Sequence, residues 1–112
     1  MKRIVISLAE RRLYLFEEDK IIRSYPVTIG QPLLPTPTGT FSIRHKLLSP
    51  GGPFGTRWMS FLPHYGIHGT NRPSLIGQPA SNGCVRMFNK DIEELYRFVR
   101  VGTLIDIIED SI

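Results

Sequence analysis

The chain holds one cysteine, three histidines and one tryptophan among its 112 residues. With Cys84 alone, an intramolecular disulfide is excluded, and the thiol is free, modified or metal-bound. Long apolar runs are missing as well. Nothing approaches ~18 consecutive apolar residues, so no transmembrane helix is expected. Internal repeats and low-complexity tracts are absent. Positive charge is present but not concentrated: the net +4 comes from basic residues scattered along the chain. Such a surplus suits an anionic partner or serves solubility alone. With no nucleic-acid reading motif, a nucleic-acid module is the least supported class.

What is there is ordinary in bulk. A 41% hydrophobic and 21% charged chain of this length reads as one globular domain, residues 1–112, able to bury a core without staples. The start, "MKRIVISLAERRLYLF", has a basic then apolar order, but Glu10, Arg11 and Arg12 interrupt the apolar run and no small-residue cleavage site follows. It reads as a first strand and not as an export signal. Ile4, Ile6 and Leu8 alternate, Leu13–Phe16 follows a charged turn, and Ile21–Ile29 is expected as a third strand. Gly30–Thr40 is broken by three prolines and reads as a loop. Thr40–Lys46 alternates again, residues 49–55 form a second loop, and Trp58–Leu62 is a short strand. One segment has helical period: Ile92, Leu95, Tyr96 and Val99 make an apolar stripe, predicting a helix over about 90–100 with Asn89 as N-cap and Gly102 as its stop. Thr103–Ile108 closes as a strand. The expected fold is mainly β, a sandwich-like domain of mixed sheets with one helix packed on it.

The chemistry concentrates in "IHGTNRPSLIGQPASNGCVRM", Ile67–Met87. The stretch admits three readings: a nucleophile with its base, part of a metal site, or a turn-rich loop around a buried thiol. A cysteine near neutral pH is mostly protonated and needs an imidazole to take its proton or stabilise the anion. His68 lies sixteen residues before Cys84, and the glycines and prolines between them predict a loop that folds back. Gly83 lets the chain turn sharply beside the thiol and aim backbone N–H groups at an oxyanion. Arg86, two residues on, projects to the face of Cys84 if the segment is extended, where it lowers the thiol pKa or grips a carboxylate. Taken singly, His68 reads as a structural histidine and Arg86 as a surface charge. A metal is not expected. Pro63 and Gly66 argue against a helix pairing His64 with His68, and in a strand the two would span ~13 Å, too wide for one ion.

These residues together resemble the active-site signature of the L,D-transpeptidase catalytic domain (the YkuD-type domain): "HGT" at 68–70, "SNGCVRM" at 81–87 and then "NKDIEELY" at 89–96. The resemblance extends to "TPTGTFSI" at 36–43, "GGPFG" at 51–55 and the "GT" at 102–103, and so runs the length of the chain. It implies a cysteine peptidyl-transferase that attacks the bond before the terminal D-alanine of a peptidoglycan stem tetrapeptide, forms a thioester, and passes the acyl group to an amine of a second stem. By position Cys84 is the nucleophile, His68 the base, Gly69 the residue whose carbonyl orients the imidazole, and Gly83 with Cys84 the oxyanion hole. Arg86, Asn82 and Ser81 fall on the substrate side, with Tyr65 and Trp58 as cleft-lining aromatics that read equally as core. No cofactor is implied, carbapenem-type β-lactams are implied as acylating ligands, and a monomer is expected.

The departure is Asn82, where many members carry histidine. Asparagine cannot deprotonate a thiol, but it can donate to a substrate or hold the loop. With the base at His68, the expectation is an active enzyme with altered contacts. Two alternatives stand beside the transpeptidase: an L,D-carboxypeptidase in which water resolves the thioester, and an inactive wall-binding domain. The implied substrate lies outside the cytoplasmic membrane, so an extracytoplasmic or spore-associated location, or a domain of a longer protein, is expected. His45 and His64 have no derivable role and read as surface or structural positions.

Overall fold

The first strand becomes the centre of the larger sheet. In a computed structural model describing residues 1–112, β1 (Lys2–Ser7) is flanked by β2 (Arg12–Glu17) on one side and β11 (Leu104–Ile108) on the other. The chain passes on through β3 (Lys20–Pro26) and β5 (Gly39–Ser42), and the sheet order is β3-β2-β1-β11-β5. β1 and β11 run parallel while the other pairs are antiparallel, so the sheet is mixed. Ile4, Ile6, Leu13, Leu15, Ile105 and Ile107 alternate onto one face and are buried there, as period-2 patterning requires.

The second sheet has the order β10-β8-β7-β6, built from β6 (His45–Leu48), β7 (Arg57–Leu62), β8 (Tyr65–His68) and β10 (Val85–Arg86). Its inner face supplies Met59, Phe61, Ile67 and Val85 to the same core cluster, and Phe61 meets Phe41 of the first sheet at 5.3 Å. A short parallel pair, β4 (Ile29–Gly30) with β9 (Pro79–Ser81), ties the loop after β8 back to the body of the domain.

The expected strand Thr40–Lys46 is in fact two strands in different sheets. Ile43 N–H donates to Thr103 O at the end of the first sheet, and the next residue's N–H, Arg44, donates to Ser60 O in the second. Alternation persists through the corner, so the pattern alone conceals the break. The expected third strand likewise ends at Pro26, and Ile29 belongs to β4.

Helix α1 (Asn89–Phe98) packs its Ile92 and Leu95 into the core. Glu94 accepts from the Tyr25 hydroxyl at 2.6 Å, while Lys46 Nζ donates to the carbonyls of Tyr96 and Val99 at 2.6 and 2.8 Å, so the helix is fastened to both sheets. Lys46 thereby satisfies carbonyls that the helix end leaves open. Val99 is already extended, so the helix stops before the expected Gly102. No helix is long and apolar enough to cross a membrane.

Candidate active site

The outward face of the second sheet carries the reactive residues in register. β8 and β10 run parallel with Arg86 beside His68 and Val85 beside Ile67, and β7 and β8 run antiparallel with Trp58 beside His68 and Ser60 beside Gly66. Val85 and Ile67 point to the core, so Cys84 and Arg86 lie with His68 on the opposite side. Continuing the same register sets Cys84 alongside Gly66, roughly 8 Å from His68 between backbones on strand spacings. The loop from 69 to 84 therefore folds back by adding a parallel strand beside the one it left.

His68 is held on every side. Its Nδ1 lies 2.5 Å from the carbonyl oxygen of Gly69. A carbonyl only accepts, so Nδ1 carries the hydrogen and Nε2 keeps its lone pair. The Trp58 indole stacks on the imidazole at 5.4 Å and 21°, and Phe54 meets it edge-on at 5.2 Å. Burial lowers the His68 pKa to about 4, with the Arg86 charge adding to the effect and the Gly69 hydrogen bond opposing it. At neutral pH the ring is therefore an uncharged base.

Cys84 is half-buried, and burial pushes its thiol pKa up while the Gly66 backbone and the Arg86 charge pull the other way. Sγ–H donates weakly to the His64 carbonyl at 3.7 Å. The resting pair is a neutral thiol and a neutral imidazole, not a preformed ion pair. Moving the proton is uphill at rest and becomes favourable as sulfur bonds to an electrophile.

The turn before the thiol is stapled by Ser81, whose hydroxyl donates to Cys84 O at 2.5 Å and accepts from Gly83 N–H at 3.1 Å. Gly83 has φ +120°, and a Cβ there would stand 2.5 Å from the Tyr65 ring. Only glycine fits both the dihedral and the contact. The Gly83 N–H is occupied by Ser81, and no hydrogen bond within the protein takes up that of Cys84. Asn82 is exposed, its Oδ1 accepting from Gln31 Nε2 at 3.2 Å. Gln31 N–H also donates to Ser81 O at 2.9 Å, so the Gly30–Thr40 loop forms the wall behind this turn. Arg86 fixes its backbone to Thr28 in both directions, at 2.8 and 2.9 Å. None of the ion pairs in the protein uses its guanidinium.

Asn89 departs from expectation. It is the first helical residue and not the cap, which falls on Phe88. Its Oδ1 instead accepts from Thr70 N–H at 3.1 Å and Thr56 N–H at 3.3 Å, and its Nδ2 donates to Thr70 O at 3.1 Å. The amide lies where a Cβ on Gly69 or Gly55 would be. It joins the two loops that carry Gly69 and Phe54, and thus both supports of His68. Sequence reading missed Asn89 and Phe54 in these roles. The glycines around each, in "GGPFG" and "HGT", were the available signal of a close approach.

The model of the L,D-transpeptidase catalytic domain matches residues 1–107. The chain belongs to that family. The L,D-transpeptidase YkuD of Bacillus licheniformis is 48% identical over 94% of this chain and 64% of its own length. The chain thus spans just under two thirds of that relative. The catalytic domain of an E. faecium L,D-transpeptidase superposes with TM-score 0.83 at 22% identity, covering 96% of both chains. The Ldtfm–avibactam carbamoyl enzyme superposes with TM-score 0.85 at 22% identity, over 98% of this chain and 49% of that one. Of the residues singled out in the sequence of this L,D-transpeptidase domain, His68, Cys84 and Arg86 share the sheet face described above.

A pH dependence follows from the buried imidazole. Its pKa drops from 6.5 to about 4 on folding, so between those values the unfolded chain binds a proton that the folded one refuses. Stability therefore falls as pH drops through this window, by about 3 kcal/mol in all, and is regained as pH rises. Urea unfolding of the wild type against His68→Gln, at pH 7.0 and 4.0 (roughly either side of the window), is expected to show this loss in the wild type alone.

Proposed function

We propose that this L,D-transpeptidase domain acts on peptidoglycan stem tetrapeptides as a cysteine peptidyl-transferase. The observation that carries the reading is the His68 tautomer: with Nδ1–H committed to Gly69 O, Nε2 is free to serve as base on the face that holds Cys84. His68 Nε2 takes the Cys84 proton as sulfur attacks the carbonyl preceding the terminal D-alanine. The oxyanion that forms is stabilised by the unengaged Cys84 N–H, and the Gly83 N–H joins only by leaving Ser81. The C–N bond then breaks, His68 returns the proton to the departing amine, and D-alanine leaves a thioester on Cys84. The unpaired Arg86 guanidinium beside His68 suits a substrate carboxylate. Trp58 and Tyr65 serve by packing, the one on the base and the other beneath Gly83.

The thioester is resolved by an amine of a second stem, giving a crosslink; water in its place would give the carboxypeptidase. Carbapenem-type β-lactams are proposed to acylate the same thiol, in keeping with the fold neighbour described as an avibactam carbamoyl enzyme. The proposed place of action is the extracytoplasmic cell wall. Incubation with a tetrapeptide muropeptide tests the reading: D-alanine release with crosslinked dimer is expected from the wild type and none from Cys84→Ala. Full release by Cys84→Ala would contradict it, and free tripeptide without dimer would favour the carboxypeptidase.

A further inference from the structure

The turn before the thiol contains the dipeptide Asn82-Gly83, whose own reactivity the mechanism leaves unused. In such a pair the glycine nitrogen reaches the side-chain amide carbon of the asparagine, because no Cβ on the second residue hinders its approach. The chain has three asparagines, Asn71, Asn82 and Asn89, and the fold separates them sharply. Asn89 lies in α1 with both ends of its amide bonded to the loops at Thr56 and Thr70. Ring closure there would break those bonds together with the first helical turn. Asn71 is exposed, but the nitrogen that follows it belongs to Arg72, which carries a full side chain.

Asn82 is exposed and followed by glycine. Its own N–H and carbonyl enter no backbone–backbone hydrogen bond, and its side chain makes one, from Gln31 Nε2 to Oδ1. The residue is therefore free to turn toward its neighbour. The two hydrogen bonds at the reacting atoms favour attack. The Gln31 donor stabilises the charge that Oδ1 takes on as Cγ is attacked. Ser81 Oγ accepts from Gly83 N–H at 3.1 Å and so makes that nitrogen more electron-rich.

We propose that Asn82 is a self-modification site whose conversion to aspartate and isoaspartate shuts down Cys84. The Gly83 nitrogen bonds to Asn82 Cγ, the Cγ–Nδ2 bond breaks, and the amide leaves as ammonia carrying the Gly83 proton. A five-membered succinimide remains. Water opens this ring at the side-chain carbonyl to give aspartate, or at the main-chain carbonyl to give isoaspartate, so one water is consumed for each ammonia released. Either product harms the site. Between Asp19 and Asp91 the sequence holds no aspartate or glutamate, so the new carboxylate stands alone, two residues before a sulfur that must become a thiolate. Isoaspartate also adds a methylene to the main chain inside the turn that Ser81 staples to Cys84 O and Gly83 N–H. The added length displaces the Cys84 N–H, and the space beside Gly83 is closed by the Tyr65 ring. The modification itself depends on amide chemistry alone, while its effect on acylation rests on the proposed thioester at Cys84.

The test is to age the folded protein in mildly alkaline buffer and sample it over time. Peptide mapping by mass spectrometry is expected to show the exchange of NH₂ for OH at Asn82, with Asn71 and Asn89 intact. Acylation of Cys84 by a stem tetrapeptide and alkylation of Cys84 by iodoacetamide are followed on the same samples. Asn82→Asp is expected to acylate about tenfold more slowly than fresh wild type, as a like charge near a developing thiolate requires. The isoaspartate form is expected to lose about 10²-fold, the scale of a misplaced oxyanion donor. Asn82→Gln, which must close a larger and slower ring, is expected to hold its own starting rate throughout. Asn82 that stays intact in the folded protein while a free peptide of residues 79–87 is converted overturns the inference. So does converted protein that acylates and alkylates at the fresh rate, or decay of Asn82→Gln in step with the wild type. Fresh wild type that forms no tetrapeptide adduct removes the transpeptidase reading, and the iodoacetamide rates then decide this inference by themselves.

Discussion

His68→Ala is expected to lower the rate of Cys84 acylation by about 10³-fold, the scale of a positioned general base, while Asn82→Ala retains acylation within a few-fold. The contrast follows from position. His68 is buried with Nδ1 bonded to Gly69 O, which leaves Nε2 with its lone pair, and the strand register puts His68 on the same sheet face as Cys84. Asn82 is exposed and bonded to Gln31. A histidine commonly fills the Asn82 position in the family signature, and its replacement would suggest a lost base if nearness in sequence decided the role. In the proposed mechanism nearness in the sheet decides it instead. The measurement is single-turnover acylation by intact mass with a stem tetrapeptide. Equal losses in the two variants would show that the loop and not the imidazole sets the rate.

Gly69→Ala should have the second-largest effect, an acylation loss of about 10²-fold with a stability cost of about 2–3 kcal/mol, the scale of an overpacked site. The new methyl would collide with Asn89 Oδ1 and approach Thr56 N to 3.1 Å. Relief requires the 69–70 segment to move, and with it the carbonyl that selects the His68 tautomer. Asn89→Ala removes the obstacle but also frees Thr56 and Thr70, so alone it should cost less than Gly69→Ala. The double variant is then expected to lose less than the two single losses combined, because the collision is counted once. Simple additivity, read from urea midpoints and acylation rates, would mean that Gly69 and Asn89 act separately.

The cycle also marks where the sequence stopped being informative. Alternation at Ile4, Ile6, Leu13, Leu15, Ile105 and Ile107 and the stripe at Ile92 and Leu95 name residues that the core does bury. Both are local periodicities that depend on one element at a time. Thr40–Lys46 misleads for the same reason: the alternation runs through Ile43 and Arg44 although their amides serve different sheets. Asn89 has the chemistry of a cap, but two loops in space compete for its amide more effectively than the helix start does. The row His45, Ser60, Gly66 and Cys84 across the second sheet comes from four separate strands or turns. No spacing along the chain encodes it.

The site residues were more legible than that row because the two ends of one loop hold them. Glycine and proline between His68 and Cys84 announce a return of the chain, and the parallel pairing of β8 with β10 delivers it. The direction of the return was not legible. It depends on Val85 filling the core beside Ile67, which turns Cys84 and Arg86 outward together.

The central claim is that Cys84 attacks a stem peptide with His68 as its base, and intact-mass measurement after mixing with a tetrapeptide tests it most directly. The account predicts an adduct on the wild type equal in mass to the tetrapeptide less D-alanine, located on Cys84, absent from Cys84→Ala and formed far more slowly by His68→Ala. The same adduct on Cys84→Ala, or none on the wild type under conditions where the protein is folded, would contradict it.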